Sequence, residues 1–180
     1  MNDHRNVHIL IILPRNQYVE EELFGLRDAL DEAGIGWVAL SPSGQEARGM
    51  SKTRFQPHGV IVDWDKQPGF RGKYHAVLIV GGRGAPKSLW DDPILPQILT
   101  DHHRAGKVVG AIGLGVAVLL RGGFVDKETA GPDDENFLQE VDSAGASLSD
   151  LPVIRSGNII TCSGSDAVGE FVQEVLAALE

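Results

Sequence analysis

The sequence is short of cysteine, of positive charge and of long apolar runs. Its 180 residues contain one cysteine, Cys162, which excludes an intrachain disulfide and a cysteine-cluster metal site, and we predict neither a metal nor a cofactor. Sixteen Lys and Arg stand against 25 Asp and Glu, a formal net charge of −9. Because no basic run is long enough to follow a phosphate backbone, we predict no nucleic-acid partner.

Long apolar segments are missing as well. No run reaches the roughly 20 residues that a membrane helix needs, so we predict no membrane association. The N-terminus, Met1-Asn2-Asp3-His4-Arg5, leads directly into a strand-like segment, and we expect a soluble, cytoplasmic protein. A chain of this length suits one globular domain over residues 1–180, which would bury about 70% of the surface of the unfolded chain.

Short apolar runs alternate with amphipathic segments along the chain. Strands are predicted at 7–13, 37–40, 60–62, 76–80, 107–112, 153–154 and 158–161, the last two forming a hairpin. Helices are predicted at 19–33, around 95–99, at 116–120 and at 168–179. The polar stretch between the second and third strands is predicted to be irregular. This alternation predicts an α/β fold with a mostly parallel sheet, helices on both faces, and ligands beyond the carboxyl ends of the strands.

Two glycine-rich turns follow strands at that edge of the sheet. Gly81-Gly82-Arg83-Gly84 follows one strand, and Gly113-Leu114-Gly115 joins another directly to a helix. The second turn has the layout of a nucleophile elbow, in which a strained central residue points into a pocket. Glycine has no side chain that could attack a substrate, so a tight strand-to-helix turn is the simpler interpretation.

Several motifs, in this order, resemble those of the ThiJ/PfpI superfamily, which includes bacterial proteases and chaperones, glyoxalases, isonitrile hydratases and the Parkinsonism-associated deglycase. The matching segments are 7–13, Glu20-Glu21-Glu22-Leu23, Val80-Gly81-Gly82-Arg83-Gly84-Ala85, Ala111-Ile112-Gly113-Leu114-Gly115, and Thr161-Cys162-Ser163-Gly164 with Glu170-Phe171. The resemblance covers nearly the whole chain. It implies a flavodoxin-like three-layer sandwich of the class I glutamine amidotransferase type, and a homodimer or higher homo-oligomer.

Part of the family's site is retained. By the resemblance, Glu22 corresponds to the glutamate at the helix start that hydrogen-bonds the family's cysteine and is often protonated. Gly81 and Gly82 correspond to the backbone donors of the oxyanion hole, which stabilise developing negative charge. We take all three as candidate site residues.

The departures from the family pattern fall on its chemistry. Gly113 stands where the resemblance places the catalytic cysteine, and Leu114 stands where His or Ala follows it. The family's later histidine, expected near 130–133, is absent, and Val80 replaces the family's proline. We therefore expect the cysteine chemistry to be lost, with Leu114 left as a ligand-binding candidate.

Other reactive residues are weaker candidates. Cys162 is expected to be a small buried hydrophobe rather than a substitute nucleophile. Glu20 and Glu21 are expected to be solvated residues of a helix's first turn, where the helix dipole favours them.

The remaining titratable groups do not form a metal site in the sequence. His102 and His103 point about 100° apart on a helix, so they cannot chelate one ion, and we expect both to be exposed. Asp63 and Asp65 would share one face of a strand, where a turn or interface role is favoured over a metal site. No partner is evident for His58 or His75.

Two functions remain open from the sequence. The first is a non-catalytic family member that binds a small molecule, or nothing, and acts as a regulatory or stress-related module. The second is a hydratase-, lyase- or hydrolase-type enzyme that uses Glu22 as general acid or base beside the Gly81-Gly82 loop. A third interpretation, an engineered glycine in an active cysteine enzyme, is disfavoured by the absent histidine.

Overall fold

The computed structural model describes residues 6–69 and 71–180. The strands are β1 (His8–Ile12), β2 (Gly36–Ser41), β3 (Ala47–Arg48), β4 (Arg54–Phe55), β5 (Gly59–Val60), β6 (Ala76–Ile79), β7 (Val108–Ile112), β8 (Glu128–Thr129), β9 (Ser147–Leu148), β10 (Val153–Ser156) and β11 (Ile159–Cys162). The helices are α1 (Glu20–Glu32), α2 (Ala85–Ser88), α3 (Leu95–Arg104), α4 (Val116–Arg121), α5 (Glu135–Ser143) and α6 (Val168–Ala178). The expectation about residues 1–5 lies outside the described residues.

A seven-stranded sheet, in the order β10-β11-β7-β6-β1-β2-β5, organises the described residues. All neighbours run parallel except the β10-β11 hairpin. The register sets Ile12 opposite Leu40 on one side and Ile79 on the other. Because the central strands β1, β6 and β7 are parallel, their carboxyl ends meet at one edge, as the sequence predicts.

Helices cover both faces of the sheet, which confirms the predicted three-layer fold. On one face, α1 and α6 pack Leu23, Leu26 and Phe171 against the sheet. On the other, α3, α4 and α5 contribute a second core that includes Leu99 and Phe137. Successive residues of β1 alternate between the two cores, so its continuous apolar run satisfies both faces.

The structure corrects two predicted segments and adds a helix that was not predicted. The strand expected at 60–62 ends at Val60, and Ile61–Asp63 form a 3-10 turn, so Asp63 and Asp65 do not share a strand face. The stretch expected to be irregular contains the β3-β4 pair. Helix α5 was not predicted, although Asp134 caps it by accepting the Phe137 N–H at 2.9 Å, a start signal that the sequence shows.

The histidines also differ from expectation. His102 is fully buried, whereas His103 is exposed. The His102 Nε2 accepts the Tyr74 N–H at 3.1 Å, so the neutral ring carries its proton on Nδ1, which lies 2.7 Å from the Ile98 carbonyl. Burial lowers the pKa of His102, and the Lys73 and Lys107 charges add to that effect. The ring is therefore a structural bridge between α3 and the segment before β6.

The other two histidines have partners, contrary to the sequence analysis. The Nδ1 of His75 accepts the backbone N–H of His8 at 3.1 Å. The Nδ1 of His58 accepts the backbone N–H of Ala39 at 3.0 Å. Both rings thus hold backbone at the margin of the sheet.

We predict that His102→Gln lowers the free energy of unfolding by about 1–3 kcal/mol, because it disturbs two buried backbone partners. The matched variant His103→Gln is expected to stay within about 0.5 kcal/mol of the parent. Urea denaturation at pH 7.5 measures both.

The same pair tests the titration of His102. Because its pKa is lowered in the fold, the unfolded chain takes up the proton first, and the stability that the neutral ring provides decreases as the pH falls below about 6.5. His102→Gln should therefore lose less stability between pH 7.5 and 5.5 than His103→Gln does. Equal losses would contradict this role of the buried ring.

Candidate functional site

A cavity of about 330 Å³ lies at the carboxyl edge of the sheet. Four of the predicted site residues line it: Glu22, Gly82, Gly113 and Leu114. Gly81 lies behind them and contacts Glu22 through its backbone. The structure therefore brings together the residues that the resemblance selected.

Glu22 sits in the first turn of α1 and is 3% exposed. Its Oε1 accepts the Gly81 N–H at 2.7 Å. Burial raises the pKa of Glu22 to about 8 and the neighbouring Glu21 charge adds to the rise, although the Gly81 N–H opposes it. The carboxyl group is therefore mostly protonated at neutral pH, and because Oε1 is an acceptor the proton belongs on Oε2.

The free oxygen of Glu22 faces the elbow. Gly113 has a φ of 58°, in the left-handed region that favours glycine, and begins the 3-10 turn Gly113–Gly115 between β7 and α4. A Cβ at this position would lie 3.0 Å from Glu22 Oε2. The missing side chain thus leaves space directly in front of the proton that Glu22 carries.

Side-chain contacts of Trp90 and Arg121 support the elbow turn. The Trp90 indole N–H donates to the Leu114 carbonyl at 2.8 Å. The Arg121 guanidinium lies 5.1 Å from the Trp90 ring centre and pairs with Glu140 on α5 at 2.7 Å. These contacts link the elbow turn to α4 and α5.

The Gly81-Gly82 loop is shaped by close approach to the segment before α1. Gly82 has a φ of 117°, and a Cβ there would collide with the Gln17 carbonyl oxygen. Gly81 accepts the Val19 N–H at 3.3 Å and gives its own N–H to Glu22. Of the two predicted oxyanion donors, Gly81 is thus engaged, whereas the Gly82 N–H has no bond within residues 6–69 and 71–180.

Glu20 is not the solvated residue that the sequence predicts. It is buried, and its carboxylate accepts the Ser51 N–H at 2.9 Å and the Thr53 N–H at 3.1 Å. Burial by itself would raise the pKa of Glu20, but these hydrogen bonds outweigh it and lower the pKa. Glu20 therefore clamps the tip between β3 and β4, which carries Met50 to the cavity. Glu21 is exposed, as expected.

The far wall of the cavity comes from two loops that the sequence analysis left without a role. Pro132, Asp133 and Asp134 line it from the segment where the family's histidine was expected. Ser163 and Ser165 line it after β11. The segment near 130–133 thus reaches the site, with a proline and carboxylates in place of an imidazole.

Cys162 lies fully buried beneath this wall. The thiol donates to the Gly164 carbonyl at 3.5 Å. Burial raises the pKa of the thiol to about 12, a backbone hydrogen bond from Gly164 opposes the rise, and the Glu22 and Glu170 charges add to it. Since the thiolate is the nucleophilic form, burial and the raised pKa disfavour Cys162 as a nucleophile at neutral pH.

Two further features of the described residues bear on the site. No three His, Cys, Asp or Glu side chains within them are grouped so as to hold a metal ion. None of their helices is long and apolar enough to span a membrane.

The fold and the site define a flavodoxin-like α/β protein that sets a buried glutamate against a strand-to-helix elbow. Comparison with known proteins agrees: the DJ-1/PfpI family model matches residues 7–178. The chain belongs to the DJ-1/PfpI family, which confirms the resemblance drawn from its motifs.

Individual relatives share most of their length with this chain. The uncharacterized protein MJ0967 of Methanocaldococcus jannaschii is 30% identical over 98% of this chain and 84% of that protein. The glutathione-independent glyoxalase DJR-1.2 of Caenorhabditis elegans is 25% identical over 95% of this chain and 88% of that protein.

Solved structures show the same fold at lower identity. The ThiJ/PfpI domain protein of Brachyspira murdochii has a TM-score of 0.85 at 22% identity, covering 96% of this chain and 95% of that one. Drosophila melanogaster DJ-1beta has a TM-score of 0.81 at 20% identity, covering 96% and 90%.

We predict that Gly113→Ala raises the pKa of Glu22 further, because the added methyl group displaces water from Oε2. Gly157→Ala is the matched control, since Gly157 has a φ of 61° and nothing within 4 Å of a Cβ. Each variant should lose about 1–2 kcal/mol of stability to the left-handed backbone, but only Gly113→Ala should move the Glu22 titration, measured by carbon-13 NMR of the carboxyl groups. An unchanged titration in Gly113→Ala would refute the contact.

Proposed function

We propose that this protein is a DJ-1/PfpI family member without a cysteine nucleophile, whose elbow cavity binds a small molecule through a hydrogen-bond acceptor such as a carbonyl oxygen. It would act as a binding module, regulatory or stress-related, rather than through cysteine chemistry. The observation that carries this proposal is the buried Glu22 carboxyl group, whose Oε2 would lie 3.0 Å from a Cβ at Gly113 and which lines the cavity with that glycine.

The lining of the cavity supports a small ligand with an acceptor at one end. Glu22 supplies a donor from its depth and the Gly82 N–H supplies a second. Val19, Met50, Leu114 and Pro132 supply apolar surface, and the remaining polar side chains of the lining are Arg83, Asp133, Asp134, Ser163 and Ser165. Apolar walls with a few convergent polar groups are typical of small-molecule sites.

The two positions at which a nucleophilic thiol would be sought, 113 and 162, support the loss of cysteine chemistry. Gly113 offers no side chain at the elbow, and the Cys162 thiol is buried with its pKa raised to about 12. Covalent catalysis needs an accessible, activated nucleophile.

A second function is favoured by the pKa of Glu22, which at about 8 lies close to neutral pH, where general acid–base catalysis is most effective. In this alternative, a hydratase-type enzyme, Glu22 would give its proton to the substrate's oxygen while water adds to the adjacent carbon. The Glu22 carboxylate would then take the proton that the water releases. The C. elegans relative is a glyoxalase, so a small aldehyde is the substrate class to test.

Two further parts of the proposal come from the sequence, the first through the family resemblance and the second through the single cysteine and the lack of a long apolar run. We infer a homo-oligomer, at least a dimer, and a cytoplasmic location. Size-exclusion chromatography with light scattering tests the first, and fractionation of the native host tests the second.

We predict that Glu22 makes the stability of the protein fall as the pH rises. The fold keeps the Glu22 proton up to about pH 8, whereas the unfolded chain releases it above about 4.5, so this contribution is complete below 4.5 and is lost through pH 8. Glu22→Gln, a neutral isostere, should lose less stability than the parent between pH 5 and 9. Glu32→Gln, an exposed change on the same helix, should follow the parent, and a parental slope in Glu22→Gln would count against a raised pKa.

Binding and turnover test the function itself. We predict that dihydroxyacetone, a small carbonyl compound, shifts the backbone NMR resonances of the Gly81–Gly84 and Gly113–Gly115 turns in the parent and in Cys162→Ala. Glu22→Ala should abolish those shifts because it removes the donor. Methylglyoxal should not be consumed by any of the three proteins.

Three other outcomes of these experiments would contradict the proposal or support the acid–base alternative. Methylglyoxal consumption that Cys162→Ala removes would overturn the proposal, because it would show that the thiol acts. Consumption that persists in Cys162→Ala and disappears in Glu22→Gln would establish the acid–base alternative. No shifts with dihydroxyacetone would argue against a carbonyl-binding cavity.

A further inference from the structure

A second cavity, of about 390 Å³, shares a loop with the Glu22 site. It is lined by Arg15, Asn16, Gln17, Gly84, Lys87 and Ser88, and we call it the basic cavity. We propose that the basic cavity binds the phosphate group of a small molecule.

The hydrogen bonds around the basic cavity occupy the oxygens of its two amide side chains. The Asn16 Oδ1 accepts the Arg48 backbone N–H at 2.9 Å. The Gln17 Oε1 accepts from the Lys87 ammonium at 3.3 Å. Each amide therefore keeps its NH₂ group as a donor.

The hydroxyl group in the cavity wall is also occupied. The Ser88 Oγ accepts the Arg15 backbone N–H at 3.0 Å and donates to the Gly84 carbonyl at 3.0 Å. The bond to Arg15 fixes the two chain segments of the wall, 15–17 and 84–88, against each other. The side-chain oxygens of the wall all have protein partners. The side chains of the cavity therefore offer a ligand almost only hydrogen-bond donors.

The charges around the basic cavity also favour a ligand that accepts hydrogen bonds. Arg15 and Lys87 are exposed and form no ion pair within the described residues, and no carboxylate lines the cavity. Arg83 is next to Gly84 in the chain, and the Arg48 backbone is hydrogen-bonded to Asn16 and Gln17. Both arginines are exposed and have no acidic partner among the described residues. The protein as a whole carries a net charge of −9, so this cluster of cations is a local exception that an anion would neutralise.

Phosphate is the anion that fits these groups. It brings three or four oxygen acceptors and, near neutral pH, up to two negative charges, and guanidinium and ammonium groups bind such oxygens through charge-assisted hydrogen bonds. A carboxylate would use fewer of the donors that converge here. The geometry therefore favours a phosphate group over a simple carboxylate.

The position of the basic cavity extends the proposed function. Gly82 and Arg83 line the Glu22 cavity, and Gly84, the next residue, lines the basic cavity. A small phosphorylated carbonyl compound could place its carbonyl oxygen at Glu22 and its phosphate between Arg15 and Lys87. This pairing rests on the proposed function, whereas phosphate binding by the basic cavity does not.

Inorganic phosphate is the first probe. Titrated at constant ionic strength, it should shift the backbone NMR resonances of residues 15–17 and 84–88 in the parent protein. Arg15→Gln and Lys87→Gln should each weaken the Kd about tenfold, equivalent to about 1.4 kcal/mol. Arg104→Gln is the matched control. Arg104 is exposed and has no ion pair among the described residues, and it lies before β7, at the opposite edge of the sheet.

The result that would overturn the site is equally specific. Equal weakening in Arg104→Gln, or equal shifts with sodium chloride or sodium acetate at the same ionic strength, would show general screening or a non-selective anion surface. Absence of shifts with phosphate would also refute the site. Folding of each variant is checked from the dispersion of the same spectra.

A second pair of probes separates the basic cavity from the proposed function. Dihydroxyacetone phosphate should bind at least tenfold more tightly than dihydroxyacetone, and Lys87→Gln should remove that advantage. Phosphate binding without any response to dihydroxyacetone would sustain the basic cavity while refuting the carbonyl site. A response to dihydroxyacetone without phosphate binding would do the reverse.

Discussion

The 2.7 Å hydrogen bond from the Gly81 N–H to Glu22 is the constraint on which the site depends. It joins the first turn of α1 to the loop after β6 inside the protein. By occupying Oε1 it directs the proton of Glu22 to Oε2, and burial keeps that proton in place by raising the pKa to about 8. The direction of the donor follows from this contact, whereas its protonation follows from burial, which outweighs the opposing effect of the Gly81 N–H on the pKa.

Close packing around that hydrogen bond explains the glycines. A Cβ at Gly81 would lie 2.7 Å from the Leu114 backbone nitrogen, and one at Gly82 would collide with the Gln17 carbonyl. Gly113 differs from Gly81 and Gly82. A side chain at Gly113 would approach the Glu22 carboxyl group rather than backbone atoms, so its absence leaves space beside Glu22. The loop that meets Glu22 continues to Gly84 in the basic cavity, so consecutive residues of one loop line two chemically different cavities.

Much of the fold was predictable because its signals are local. The central strands are buried on both faces, so their apolar runs are continuous, and glycines mark both turns at the carboxyl edge. The predicted exposure was wrong for residues whose burial is set by contacts with distant parts of the chain. His102 is buried by Trp64 and Tyr74, and Glu20 is buried under a hairpin tip about 30 residues along the chain, so neither environment can be derived from neighbouring residues.

The amino-acid sequence by itself determined the α/β order, the family motifs and the absence of a cysteine at the elbow, since these depend on residue identity and periodicity. Only the tertiary structure decided that Glu20 is buried under the tip between β3 and β4, that His102 is buried, and that Arg15 and Lys87 line one cavity. The reason is physical: burial, pKa and charge clustering depend on distances between segments far apart in the chain, which are set by packing against the sheet.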